Sequence, residues 1–412
     1  MLMLISAVYT LYTLVKFYAT VMEIGFVSKA KKTKPVILKT SNFIKAANYK
    51  IASSKMELVS ILYDLLLFIW WFGYGLNMLD SHIQIQNEIV KSIVFLDLFI
   101  VINYIFALPF DIYKTFSLDK EYGFSNTDMK TFLLDQLKAG VLFLVFGSAV
   151  FALLSWIILN FSNWWIWGFV AIFVIIIFIN MIYPTLIAPI FNKFTPLKDE
   201  DLKNSIEGLL QKAGLKSSGV FSLDASKRDS RLNAYFGGLG KSKRVVLFDT
   251  LIEKLEKKEL LAVLGHELGH FKHKDILKNI LASGLMLFVM FAIFGNLPKD
   301  MFLELGVSNQ VYMNIIFFLL FSPVLSFVFM PIIGMISRKN EYAADEYGSE
   351  CESKEALSSA LMKLANENKS FPLSHPLTIF LYFTHPPLVE RLKKLGVDIE
   401  SSNSCAEENC QA

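Results

Sequence analysis

The sequence predicts a mainly α-helical, polytopic membrane protein with seven transmembrane helices and an extramembrane part that carries a small β-hairpin or sheet. Three observations lead there. The 412 residues are 54% apolar with a positive mean hydropathy, the apolar residues gather into long blocks, and the basic residues crowd into the connections on one side. A bilayer core needs about 20 predominantly apolar residues per helical span, and blocks of that length in a chain this greasy read as spans.

The blocks run Met1 to Met22, Met56 to Leu79, Ile93 to Tyr113, Val141 to Phe161, Trp164 to Ile190, Ile280 to Leu297 and Val311 to Ile336, the sixth being short. The first has no basic residue ahead of its apolar core and carries Lys16 inside it, which reads as a retained helix and not a cleaved signal peptide. Orientation follows from charge. With the N-terminus outside, the connection after the first span faces the cytoplasm with Lys29, Lys31, Lys32, Lys34, Lys39, Lys45, Lys50 and Lys55, as the positive-inside distribution requires. Only Lys91 and Lys299 then fall at the outside loops, the C-terminus lies inside, and Phe191 to Asn279 is a cytoplasmic segment between spans five and six. A bacterial inner membrane and the endoplasmic reticulum both fit this orientation.

The net charge of +3, without interleaved aromatic and basic residues, excludes nucleic acid as a partner and leaves the lipid bilayer as the evident one. Cys351, Cys405 and Cys410 are expected on the reducing side as free thiols. The composition shows little linker character, so the chain divides by role and not by independent folding. Residues 1–190 hold spans one to five, 191–279 a cytoplasmic segment, 280–336 spans six and seven, 337–399 a second cytoplasmic segment, and 400–412 a polar tail expected to be disordered.

The chemistry sits in His-Glu-Leu-Gly-His, His266 to His270, within a helical pattern expected from Lys257 to Lys278. On a helix the i and i+4 side chains share a face, so both imidazoles reach one metal ion while Glu267 leans over an open coordination position. A catalytic zinc site needs a third protein ligand. The position ten residues after His266, where one class of zinc peptidase has a third histidine, is Ile276, so that class is excluded; His273 lies too far along the helix and reads as a surface or supporting histidine. Ser337 to Asp345 supplies a better candidate. Glu341 and Asp345 are i and i+4 on a helix emerging from the seventh span, so Glu341 can complete a His, His, Glu set while Asp345 accepts the spare N–H of a ligand histidine. The blander reading is a charged helix end meeting water. The hairpin of spans six and seven favours the first, because it returns both segments to one membrane surface.

These motifs, with EYGFSNTD at Glu121, IAPIFNKFTPL at Ile187, LDASKRDSRLNAYFGG at Leu223, RVVLFDTLI at Arg244 and THPPLVERLKKL at Thr384, resemble the Ste24 type of CAAX prenyl protease. The smaller heat-shock membrane peptidases of the same clan share HELGH but have four spans. The resemblance implies a ring of seven helices around an internal chamber, closed by a gluzincin-like zinc peptidase domain. It implies one Zn²⁺ per chain on His266, His270 and Glu341, with Glu267 as general base and Asp345 in support. It also implies that Asn233, Ala234, Tyr235 and Phe236 form an edge strand onto which an extended substrate adds, and the sequence agrees, since Asn233 to Phe236 and Arg244 to Phe248 read as a hairpin. His385 is matched to the oxyanion and Arg391 to substrate or site support. A wet chamber would accommodate Lys16, Asp64, Asp97, Asn103, Asn180 and Asn314, all costly against lipid; pairing across helices would serve as well.

The implied reaction is hydrolysis of a lipidated or hydrophobic peptide, in this family the removal of the last three residues of a prenylated protein. The zinc signature equally suits a quality-control peptidase for misfolded membrane proteins. A transporter or scaffold with a structural metal fits poorly, because such a site is normally closed by four protein ligands and gives Glu267 no role.

Overall fold

In a computed structural model of the chain, residues 2–399 are described, apart from 216–217, 239–242, 299–301, 303, 306 and 308–309. The polar tail 400–412, with Cys405 and Cys410, and Lys299 lie outside the described residues. Among the described residues, seven helices are long and apolar enough to cross a membrane: Met3–Ala30, Thr40–His82, Glu88–Glu121, Met129–Asn160, Trp164–Phe191, Asp275–Gly295 and Val311–Cys351. Each overlaps one of the seven apolar blocks almost throughout, but most run well past it at one end. The overhangs (the end of the first, third and seventh helices, the start of the second and fourth) fall at the face that carries the peptidase segments. Hydropathy marks only the lipid-facing length, whereas a helix continues wherever its backbone bonds are sheltered by packing.

The spans are held together by an aromatic core in which Phe95 stacks on Tyr312 at 4.0 Å between ring centroids and buried Trp71 donates to Asn103 at 3.1 Å. Their outer faces carry exposed apolar side chains such as Leu281 and Leu285, one turn apart on the sixth span, as lipid contact requires. The polar residues within the spans divide between the two solutions open to them. Lys16, Asp64 and Asn103 line a cavity of about 210 Å³ among the first, second, third and seventh spans, while Asp97 accepts from Ser148 Oγ across two spans at 2.7 Å.

The extramembrane part is built around a four-stranded sheet in the order β1-β2-β4-β3, with β1 Phe194–Pro196, β2 Val220–Leu223, β3 Ala234–Gly237 and β4 Arg244–Phe248. β3 pairs antiparallel with β4 (Tyr235 opposite Val246), which is the expected hairpin, and β2 joins the far side of β4 in parallel. The buried Val245, Val246 and Leu247 make β4 the central strand and leave β3 at an edge. Against this sheet packs the helix Lys257–Lys272, which buries Leu260, Leu264 and Leu268 with Val245 and Leu247 in one core. It begins in a capping box formed by Glu256 and Glu259. It ends sooner than the pattern predicts, at Lys272 and not Lys278. Lys274 has φ +57°, a left-handed residue that breaks the helix, and the sixth span starts at Asp275 and not Ile280.

Two of the quoted motifs turn out to join one another. Arg228 forks onto Asp135 (2.7 and 3.0 Å), Arg231 reaches Asp119 at 2.7 Å, and Ser230 N donates to Phe124 O at 2.9 Å. EYGFSNTD and LDASKRDSRL are therefore the seam that fixes the sheet onto the overhangs of the third and fourth spans.

Candidate metal centre

His266 and His270 lie on the HELGH helix, and Glu341 lies on the helix Gln310–Cys351, which is the seventh span continued without a break through SRKNEYAAD. Its 42 residues extend about 63 Å at 1.5 Å per residue, so one rigid element carries the membrane span and the acidic ligand. The two helices cross at small residues. A Cβ on Gly269 would stand 2.8 Å from Ala344 Cα, and one on Gly348 would stand 2.8 Å from His266 N. Small residues four apart on both helices (Gly265 and Gly269, Ala344 and Gly348) let the backbones touch. That contact sets the histidines directly under Glu341.

The imidazole Nε2 atoms of His266 and His270 are 3.3 Å apart, and they lie 3.5 and 3.3 Å from the Glu341 carboxylate. The three donor atoms all fall within 4.8 Å of one another. Each histidine is turned by a carboxylate behind it. His266 Nδ1 meets Asp345 Oδ1 at 2.9 Å, and His270 Nδ1 meets Asp275 Oδ2 at 3.0 Å. A carboxylate accepts, so the proton sits on Nδ1 in both rings and the Nε2 lone pairs converge. Arg391 holds Asp345 in turn through Nε at 2.8 Å and Nη2 at 2.6 Å.

The residues present fit a metal ion. Glu341 is buried, and its Oε2 atom has no hydrogen-bond partner, the Arg391 guanidinium standing 3.8 Å away; a metal ion among the three side chains would satisfy it more closely. Burial alone would lower the His270 pKa, but hydrogen bonds with Glu341 and Asp275 raise it to about 9. The pocket thus favours positive charge where the three side chains converge. Two imidazoles and one carboxylate are also the donor set of a catalytic centre that keeps a position open. Glu267 is half-buried beside them. Burial raises its carboxyl above the ordinary glutamate value, with His266 and His270 pulling the other way.

Of the other residues picked out in the sequence, Asp345, His385 and Arg391 reach the ligand side chains directly. His385 is exposed and brings Nε2 to 3.2 Å from Glu341 Oε1. Arg391 has its guanidinium on Asp345, with Nη1 3.8 Å from Glu341 Oε2. Asn233 precedes β3, its Oδ1 accepting from Ala234 N at 2.8 Å; Ala234 is buried, while Tyr235 and Phe236 are half-buried along the edge. His375 caps the helix Pro376–Tyr382, accepting from Leu377 N at 3.1 Å. His273 is half-buried beside Tyr347, at 6.5 Å between ring centroids. Sequence reasoning missed Asp275. Its signal was a lone acidic residue at the mouth of an apolar span, five residues past a ligand histidine.

A multi-span helical body closed on one face by a His, His, Glu cluster defines an integral-membrane metallopeptidase. Residues 196–397 match the family model described as Peptidase family M48, and residues 27–193 match the one described as CAAX prenyl protease N-terminal, five membrane helices. The chain is 32% identical over 400 residues to CAAX prenyl protease 1 of Saccharomyces cerevisiae, covering 88% of each. It is 33% identical over 357 residues to the CAAX prenyl protease 1 homolog of Homo sapiens, covering 75% of this chain and 74% of that one. The crystal structure of S. mikatae Ste24p superposes with a TM-score of 0.85 at 30% identity, covering 95% of this chain and 98% of that chain. The chain belongs to the CAAX prenyl protease family of M48 membrane metallopeptidases.

Proposed function

We propose that the protein is a zinc endopeptidase in which one Zn²⁺ per chain is held by His266, His270 and Glu341, acting on lipidated or otherwise hydrophobic peptides. The observation that carries this reading is the convergence of two carboxylate-turned imidazoles on the buried Glu341 carboxylate, His266 facing Oε2 and His270 facing Oε1. Zinc supplies Lewis acidity, polarising a carbonyl and acidifying water. Glu267 takes the proton from the attacking water onto its carboxylate and returns it to the leaving amine. His385 offers an N–H to the oxyanion of the tetrahedral adduct. Asp345 and Asp275 keep the ligand rings turned, and Arg391 keeps Asp345 in place, so Arg391 is a positioning residue.

The substrate lies extended along β3, whose outer edge offers unpaired backbone groups to a further strand from Asn233 to Phe236. The lysine-rich connection after the first span supports an orientation with the N-terminus outside and the metal centre and C-terminus in the cytoplasm. The names of the relatives favour a prenylated protein C-terminus as the substrate. The test is the Glu267→Ala protein, which should keep about one zinc per chain and cleave no peptide. Wild-type activity in that variant would sink the mechanism. A cleavage assay comparing a prenylated CAAX peptide, its unprenylated counterpart and an unfolded membrane protein ranks the substrate classes.

A further inference from the structure

Beside the edge strand, spans five and six part to leave a cleft of about 470 Å³, a size typical of sites that enclose a small molecule. Its walls are apolar: Phe173, Ile176 and Ile177 from the fifth span face Ile276, Ile280 and Leu287 from the sixth. Asn180, Asn279 and Ser283 are the polar side chains among them. On the sixth span the cleft residues Ile276, Ile280, Ser283 and Leu287 share a face opposite the stripe of Leu281 and Leu285.

Its mouth is tied to the metal centre from two sides. Tyr235 and Phe236, from the strand proposed to receive substrate, line it with Gly237 and Gly238 beyond them, and the Phe236 ring lies 6.4 Å from that of Phe271, next in sequence to His270. On the other side Ile276 follows Asp275, whose carboxylate meets His270. From Ile276 to Leu287 the sixth span rises about 16 Å, close to the roughly 15 Å of three extended isoprene units.

We infer that this cleft binds the isoprenoid of the substrate, holding it between spans five and six while the peptide lies on β3. The inference rests on the peptidase reading above and adds to it the place of the lipid. In a prenylated CAAX peptide the lipid hangs by a thioether from the cysteine whose carbonyl is attacked. It must therefore leave the metal centre within one side chain of the scissile bond. The cleft reaches toward it through Phe236, whose ring neighbours Phe271, and Ile276, which follows Asp275, and its apolar walls suit a chain that water would not solvate. Gly237 fits the same geometry: a Cβ there would stand 3.0 Å from Pro184 Cβ, so the strand and the fifth span meet without a side chain between them.

The experiment uses the full chain in nanodiscs and a CAAX peptide whose isoprenoid carries a benzophenone. Photolysis should label residues 173–184 and 276–287, and excess unlabelled prenylated peptide should remove the label. Label confined to the cavity of Lys16 and Asp64, or label removed by phospholipid but not by prenylated peptide, would overturn the inference, the second result assigning the cleft to a bilayer lipid. In a separate arm, Ser283→Trp fills the cleft and should lower the ratio of kcat/KM for prenylated over unprenylated peptide at least about tenfold. An unchanged ratio counts against the site. Labelling needs no turnover, so labelling without cleavage of either peptide would refute the peptidase reading alone, and cleavage without label in the cleft would refute the lipid site alone.

Discussion

His266 and Asp345, 79 residues apart in sequence, are joined by a 2.9 Å hydrogen bond, and Arg391 clamps the same carboxylate from behind. The bond fixes which nitrogen of His266 carries the proton, and so which one is free to bind metal. Asp345→Asn offers an amide that can donate as well as accept, and it loses the charge that anchors Arg391. Metal affinity should fall about 10–100-fold, read by competition with a chromogenic chelator. Arg391→Ala should lower affinity in the same direction while leaving the three ligands in place. If both variants hold metal as tightly as the wild type, the Arg391, Asp345, His266 chain has no part in the centre.

Asp275 plays the corresponding part for His270 from the first turn of the sixth span, bound also by Lys278 at 2.8 Å. Asp275→Ala removes the acceptor and leaves His270 free to turn; a loss of about tenfold in metal affinity is expected. Equilibrium dialysis against zinc would reveal it, and an unaltered isotherm would reduce Asp275 to a helix-start residue.

The crossing of the HELGH helix with the seventh helix rests on Gly269. A methyl there would stand 2.8 Å from the Ala344 backbone, so Gly269→Ala must push two helices apart along the line that joins the ligands. Overpacking of this kind costs about 1–3 kcal/mol, and melting in detergent should move down accordingly, with loss of bound metal. Gly208, with nothing within 4 Å of its would-be Cβ, is the control. Gly208→Ala should be neutral or slightly stabilising, because alanine is the better helix former. Equal behaviour of the two variants would show that the crossing is not close-packed.

These sites differ in how far sequence could reach them. His266, Glu267 and His270 are legible because their geometry is local: one helix, one turn, one face. Glu341 and Asp345 are legible at one remove, through the hairpin that returns the seventh span to the same surface. Asp275 is not, because its approach to His270 depends on Lys274 adopting φ +57°, and nothing in Phe-Lys-His-Lys-Asp signals a left-handed lysine. Nor are Gly265 and Gly269, which look like filler within a metal motif until a second helix supplies Ala344 and Gly348. β1 and β2 escaped for a simpler reason. Phe194–Pro196 is three residues long and includes a proline, and Val220–Leu223, as short as β3, has no glycine-joined partner next to it in sequence to mark a hairpin. Along the spans hydropathy found the lipid-facing blocks and missed the overhangs, whose Glu23, Asp119 and Asp135 bind Ser374, Arg231 and Arg228 of the extramembrane segments.

Glu259 gives a dependence on pH that is separate from the metal. It is buried at the start of the HELGH helix and accepts from Ser359 Oγ at 2.6 Å, Lys363 Nζ at 2.8 Å and Glu256 N at 2.8 Å. Burial by itself would raise its carboxyl, but the hydrogen bonds from Lys363, Ser359 and the Glu256 amide outweigh that and hold it below the ordinary glutamate value. A carboxyl depressed in the folded state releases its proton more readily there than in the unfolded chain. Its stabilisation is therefore complete above the unfolded value of about 4.3 and is lost as pH falls through the lower folded value. Glu259→Gln keeps the shape and removes the charge. Near pH 7 it should destabilise by about 1–3 kcal/mol, and the gap between variant and wild type should close as pH is lowered from about 5 toward 3. Comparing the two proteins in parallel melts cancels the acid sensitivity they share at the metal ligands. A gap that stays constant down to pH 3 would mean that the Glu259 charge does not brace the start of this helix.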